Sequence, residues 1–269
     1  MNEKATNTTS LDVETLEGGI RILTLNGPRT RNSLGRSQCE DLHEAIIEAG
    51  SDRAVRAIIL QGAGGFFCSG GNVNALLEGR SRTLAQVSRN TDAMAAMILA
   101  IRACPTPVIA AVEGGAAGVG ISLVLSCDMI VASRSAKFTA AYVKIGLSPD
   151  GGATHFLLDA LPRQFVAEMC MLGRPVAAER FHQAGVVNLL CPEGEAHGAA
   201  LDLARSLARG PAAAISVIKA ELTEARRNDL ATQIDLEARQ INKARYGAEA
   251  AEGIQAFVDK RPPDFVKLD

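Results

Sequence analysis

Twice in the first half of the chain, a short apolar run leads into a glycine-rich loop and then into a helix. No other feature constrains the fold as much. Val55 to Leu60 (VRAIIL) precedes the loop Gly62 to Gly71, and Val108 to Val112 (VIAAV) precedes the loop Gly114 to Gly120 (GGAAGVG). Short continuous apolar runs bounded by turn residues are the pattern of strands buried on both faces. Met129 to Ala132 is a third such run, and Ile121 to Leu125 opens a helix before it. Leu34, Leu42, Ala45, Ile46 and Ala49 fall on one helical face, as do Leu84, Val87, Met94, Met97, Ile98 and Ile101 within 83–103, a segment that Pro105 and Pro107 close. Residues 11–17 and 20–26 read as strands about the turn Gly18-Gly19. Strand and helix alternation of this kind predicts an α/β core with parallel strands.

Beyond about residue 153 the pattern turns helical, over 153–172, 177–184, 195–209, 213–227 and 229–258, with 186–190 as the one strand. The expected organisation is a polar tail at 1–10, a core at 11–200 and a helical region at 201–269. Ile215, Ile218, Leu222, Ile234 and Ile241 in that last region have little core of their own to cover, so their faces pack on the core or on another subunit.

Composition narrows the function classes. Lys and Arg number 28 against 30 Asp and Glu, for a net charge of −2, so no basic face for nucleic acid is expected. No apolar run reaches the roughly 18 residues of a membrane span. The N-terminus lacks the apolar stretch of a secretory signal. The 6 cysteines are scattered, with no C-x-x-C pair and no His at ligand spacing, which argues against zinc and for reduced thiols in a cytoplasm. With 0 Trp and 2 Tyr there is no aromatic platform for bases or sugars.

The two glycine loops fit no standard nucleotide or hydrolase motif. A P-loop needs Lys where Ile121 stands, a dinucleotide fingerprint begun at Gly118 needs Gly at Leu123, and a nucleophile elbow needs Gly at Phe67. Together and in this order, FFCSGGNV (66–73) and TPVIAAVEGGAAGVGISLVLSCDMIVAS (106–133) resemble the signatures of the crotonase (enoyl-CoA hydratase/isomerase) superfamily. The resemblance runs from NGPRTRNSL (26–34) through SAKFTAAYVKIGLSPDGGATHFL (135–157) and LGRPVAAERFHQAGVVNLL (172–190) to EGIQAFVDKRPPDF (252–265). It implies the ClpP/crotonase fold of repeated β-β-α units with a C-terminal helical trimerisation region. It also implies an acyl-CoA thioester substrate, assembly as a homotrimer or homohexamer, and no cofactor or metal beyond the coenzyme A of the substrate itself.

By that resemblance the N–H groups of Gly71 and Val119 grip the thioester carbonyl oxygen. Such donors stabilise the charge of an enolate in a dry site. Enoyl-CoA hydratases of the family carry glutamates where this chain has Ser122 and Tyr142. Asp150, in GLSPDGGATHF, stands instead where the superfamily's isomerases carry an acid, and KIGLSPDGG is most similar to the ring-1,2-epoxyphenylacetyl-CoA isomerase version. Asp150 is therefore the expected proton-transfer base, and a raised pKa would suit it to that task. The dehalogenase branch fits less well, because no His occupies the helix before Pro105.

Phe66, Phe67, Leu76, Leu77, Ala141 and Tyr142 are the expected apolar lining, and Ser69, Gly71, Val73 and Gly118 complete the substrate loops. Arg29, Arg31 and Lys260 are expected at the phosphates of coenzyme A, Lys260 from a neighbouring subunit. Replacing Ser122 or Tyr142 by Ala or Phe is expected to do far less harm than replacing Asp150. Cys68 and Ser69 lack a base nearby and read as loop residues. Asn72 and Glu113 read as loop-formers, His155 as a buried packing residue, and His43 and His182 as structural. The expected activity is enoyl-CoA isomerisation. The rivals are a hydratase without the usual glutamates and a non-catalytic relative that binds coenzyme A or RNA.

Overall fold

The computed structural model describes residues 9–268. Residues 1–8 of the expected polar tail lie outside the described residues. Thr9 is buried, with its hydroxyl donating to the Ser33 carbonyl at 2.6 Å. β1 (Ser10–Leu16) and β2 (Ile20–Asn26) form an antiparallel hairpin. Gly19 must be glycine in that turn, since its φ is +76 and a Cβ there would stand 2.2 Å from the Ala54 carbonyl.

The chain then alternates as the apolar runs predict: α1 (Arg36–Ser51), β3 (Ala57–Gly62), α2 (Val73–Gly79), α3 (Leu84–Ala103), β4 (Val108–Val112), β5 (Gly115–Ala117), α4 (Val119–Ser126), β6 (Met129–Ser133) and β7 (Lys137–Thr139). After a 3-10 turn at Ala141–Ile145 come α5 (Ala153–Ala160), α6 (Arg163–Leu172), β8 (Val176–Ala177), α7 (Ala178–Gln183), β9 (Leu189–Cys191) and α8 (Ala196–Ala208). α9 (Ala212–Glu224), α10 (Leu230–Ala244) and α11 (Ala248–Val258) follow. The main sheet has the order β1-β2-β3-β4-β6-β9 and is parallel except for β1. A second, three-stranded sheet, β5-β7-β8, stands apart from it.

Several boundaries differ from the sequence pattern for local reasons. The helix expected over 153–172 breaks at Leu161-Pro162, where Leu161 is extended as the residue before proline prefers. The helix expected over 229–258 breaks between α10 and α11, ahead of an extended Gly247. The strand expected at 186–190 forms only at Leu189–Cys191. β5 is Gly-Ala-Ala and carries no apolar pattern to read.

Both faces of the main sheet are covered. On one, Leu23, Ile58, Leu60 and Ala110 pack with Leu42 and Ile46 of α1, Met97 and Ile101 of α3 and Leu123 of α4. On the other, Ile22, Ile59, Ile109 and Val131 meet Ala196, Ala200, Ala204 and Ala208 of α8. The Arg56 guanidinium donates to the carbonyls of Ala208 and Gly210 and secures the end of α8. α9 is tied to the core by Lys219, 7% exposed, whose Nζ lies 2.7 Å from the Asp128 carboxylate and donates to the Ile101 and Thr106 carbonyls. Ile218, Leu222, Ile234 and Ile241 remain exposed. No described helix is long and apolar enough to cross a membrane.

Candidate active site

The two glycine loops meet because glycine lets them touch. Cys68 pairs with Ala116 in a parallel bridge, and the Ala117 N–H donates to the Cys68 carbonyl at 2.9 Å. Phe67 N–H donates to the Glu113 carbonyl at 2.9 Å. A Cβ on Gly70 would lie 2.7 Å from the Ala117 carbonyl, and one on Gly120 2.6 Å from that of Cys68. Any larger residue would force the loops apart.

Each loop presents one backbone donor beside this contact. The loop of Gly71 is pinned to Leu34 through its neighbours, with Leu34 N–H donating to the Gly70 carbonyl and Asn72 N–H to the Leu34 carbonyl. That arrangement leaves the Gly71 N–H out of the pairing. Val119 is the first residue of α4, where no intrahelical carbonyl can take its N–H. A β-branched residue is tolerated at 119 because Gly118 before it takes the positive φ of 52 while Val119 keeps a negative one. A Cβ on Gly71 would meet no protein atom within 4 Å, so the space beside its Cα is open.

Asp150 comes to the same place on a sharp turn. Gly151 and Gly152 both have positive φ, and a Cβ on Gly151 would stand 2.9 Å from Val119 Cγ2 and 3.2 Å from Ser122 Cβ. The turn therefore lies directly on the first turn of α4. The buried Ser122 hydroxyl donates to the Asp150 carbonyl at 3.1 Å. The Tyr142 hydroxyl donates to Asp150 Oδ1 at 2.9 Å. Gly152, not Asp150, is the N-cap of α5, so capping does not consume the carboxylate. Burial pushes the Asp150 carboxyl above its ordinary range, and the Tyr142 hydrogen bond offsets part of that rise. Burial, then the adjacent carboxylate, pushes the Tyr142 phenol up, so it remains a donor.

The remaining sequence candidates divide. Arg29 and Arg31 sit on a 3-10 turn (Pro28–Thr30 and the residue after it) that abuts the first glycine loop. Ser69 binds it twice there, N–H to the Arg31 carbonyl and hydroxyl to the Thr30 carbonyl, both at 2.8 Å. Both arginines are exposed, and the Arg31 guanidinium lies 5.4 Å from the Phe66 ring centroid. Val73 and Leu76 begin α2 just after Gly71 and are exposed. Asn72 caps α2, accepting from the N–H groups of Asn74 and Ala75, as its loop-forming role predicts.

Phe67 is a correction. Its side chain is fully buried in the core and supplies no wall to an open site. His155 is another, since its side chain is 69% exposed and sits 3.4 Å from Asp159 rather than packing inside. Lys260 follows α11, and among the described residues no hydrogen bond or ion pair joins it to the other candidates. Cys68 is buried and its thiol is pushed up to about 12, which disqualifies it as a nucleophile. Glu113 accepts from the Ala196 N–H and so ties the second loop to α8.

Sequence reasoning missed two features. Asn32, fully buried at φ 57, accepts from the Gly27 N–H and donates to the Ala63 and Phe66 carbonyls, clamping the arginine turn to the glycine loop. The amide is the side chain that best tolerates that backbone while bonding on both sides. Tyr142 was expected as apolar wall, and its hydroxyl instead has a polar partner in Asp150.

The chain is similar to known proteins over nearly its whole length. The family described as enoyl-CoA hydratase/isomerase matches residues 15–267. A probable enoyl-CoA hydratase of Rhodobacter capsulatus is 34% identical over 92% of this chain and 94% of its own length. The 1,2-epoxyphenylacetyl-CoA isomerase of Escherichia coli is also 34% identical, over 93% of this chain and 96% of its own. The crystal structure of an enoyl-CoA hydratase from Polaromonas sp. JS666 superposes with a TM-score of 0.92 at 37% identity, covering 94% of this chain and 98% of that one.

Proposed function

The chain belongs to the enoyl-CoA hydratase/isomerase family and is an enzyme of the crotonase fold, and from that premise we propose that it is an acyl-CoA isomerase whose base is Asp150. The observation that carries the reading is the place of that carboxylate. It rides on a turn packed against Val119, and a buried phenol fixes one of its oxygens at 2.9 Å.

In this scheme the N–H groups of Gly71 and Val119 bind the thioester oxygen. Asp150 takes a proton from the carbon next to the thioester, the electrons move into an enolate, and the two donors stabilise its charge. The same carboxyl group returns the proton farther along the acyl chain, and the double bond shifts. The exposed Arg29 and Arg31, together with Lys260 of a neighbouring subunit, would hold the phosphates of coenzyme A. The exposed apolar residues of α9, α10 and α11 favour a homotrimer or homohexamer.

Addition of water suits the chain less well. It ordinarily calls for two groups to hold and polarise the water. At the places of the hydratase glutamates stand Ser122 and Tyr142, and both are engaged with Asp150. Turnover of a 3-enoyl-CoA against crotonyl-CoA, with solvent deuterium followed into the acyl chain, decides between the two. Asp150→Asn should keep ligand affinity and lose roughly 10²–10⁴ in isomerisation rate. Fast hydration of crotonyl-CoA that survives Asp150→Asn would refute the reading.

A further inference from the structure

Asp150 is held at two points by residues from two different elements. Ser122, on α4, fixes its backbone carbonyl at 3.1 Å, and Tyr142, on the 3-10 turn Ala141–Ile145, fixes its Oδ1 at 2.9 Å. Tyr142 is only 9% exposed and belongs to the buried residues of that turn. Its ring is therefore set by packing, and the position of its hydroxyl does not depend on a ligand. Gly151 and Gly152 put no side chain between the carboxylate and this frame.

We infer that Tyr142 is a positioning residue for the reaction, holding Oδ1 of Asp150 so that Oδ2 alone takes and returns the proton. The inference rests on the reading of Asp150 as the base. A carboxylate free to rotate could approach the acyl chain with either oxygen and in several orientations. One pinned from Oδ1 has a single geometry, and alignment of reacting atoms is worth large rate factors. Because one oxygen serves both carbons, the proton leaves and returns on the same face of the acyl chain.

The charge state of Asp150 follows from the same contact. The titratable groups facing it are the Tyr142 phenol and, from α1, the Cys39 thiol, which is pushed up to about 12 by burial first and then by Asp150 itself. Both remain neutral near pH 7. The phenol donates to the carboxylate and favours its charged form, so its removal raises the Asp150 pKa. The base would then be lost at a higher pH.

The test is Tyr142→Phe, which removes one hydroxyl and keeps the packed ring. A hydrogen bond to a charged group is worth about ten- to hundredfold. kcat for double-bond migration should fall by that factor while KM stays within about twofold. The acidic limb of the kcat/KM profile should move to higher pH, and so should the carbon-13 titration of the Asp150 carboxyl, identified by its loss in Asp150→Asn. In the Asp150→Asn background Tyr142→Phe should cost nothing further, because it acts only through that carboxylate. An unmoved acidic limb and titration, or an equal loss in the Asp150→Asn background, would overturn the inference. Full turnover in Asp150→Asn alone would instead sink Asp150 as base, and the inference about its oxygen with it. The carboxyl titration would still report whether the phenol tunes the group.

Discussion

Replacing Lys219 by Met tests what fastens the C-terminal helices to the core. Nζ of Lys219 lies 2.7 Å from Asp128 and donates to two backbone carbonyls, at 3.0 and 3.1 Å, with the two side chains 7% and 17% exposed. Methionine fills the same stem volume and removes the charge. Breaking a buried ion pair from one side costs about 3–5 kcal/mol, because the other charge is left without its partner. Asp128 keeps the Val108 N–H at 2.8 Å, which places the cost at the lower end, about 3 kcal/mol. For a domain of this size that is a fall of roughly 6–10 °C in the thermal midpoint. Circular dichroism during heating, with a urea titration as a second measure, reads it. The double variant Lys219→Met, Asp128→Asn should recover part of the loss, since the amide oxygen can still accept from Val108 and no charge is stranded. A fall below about 1 kcal/mol, or a double variant no more stable than the single, would refute the reasoning and make the contact a surface-type pair.

Two further outcomes follow from the site. Gly71→Ala should fold with near-normal stability, because its Cβ meets no protein atom and its φ is not positive. It should still lose about 10² in kcat/KM, the loss typical of a small misplacement at the reacting centre, since the methyl would crowd a ligand held at the neighbouring N–H; unchanged kinetics would remove Gly71 from the site. Asp150 carries a raised pKa, so its ionised form is the less stable one in the fold. Its contribution to stability is full below its unfolded pKa and is lost as pH rises through the folded value. Asp150→Asn should therefore melt at or above the parent near pH 7, the difference closing in acid, whereas parent turnover should fall as pH drops through that same folded value. A variant that melts lower at neutral pH would argue that ionised Asp150 supports the fold.

Much of this architecture could be read from residue pattern alone. Runs such as VIAAV and MIVA are short, apolar and bounded by turn residues, the pattern of a strand covered on both faces, and they form β4 and β6. The short strands β5, β7 and β8 gave no such signal, because they run for only two or three residues: β5 is Gly-Ala-Ala, and β7 and β8 each place a single apolar residue, Phe138 and Val176, in the core. At the site, the residue types pointed to Asp150, Gly71 and Val119 through a resemblance, and the fold brings their turns and loops against one another. The role of Tyr142 was not legible. A tyrosine after Ala140-Ala141 reads equally as wall or as donor, and its partner Asp150 lies eight residues on, across a turn whose course the sequence does not specify.

The alanines of α8 bear on how this sequence can drift. Ala196, Ala200, Ala204 and Ala208 recur every fourth residue and are buried against the sheet. Along this stripe the helix sets only methyl groups against the strands, with Leu201, Leu203 and Leu207 packing at its flanks, so there is no room for a larger side chain at the four alanines. Substitutions there are asymmetric. Serine or glycine changes the local balance by a modest amount, while valine or leucine must lift a whole helix, at about 1–3 kcal/mol or more for each site. Lifting α8 would also draw Ala196 away from Glu113, and with it the second glycine loop. Neutral change in a helix far from any substrate is thus restricted to small residues, and a large one there would first be noticed as lost catalysis.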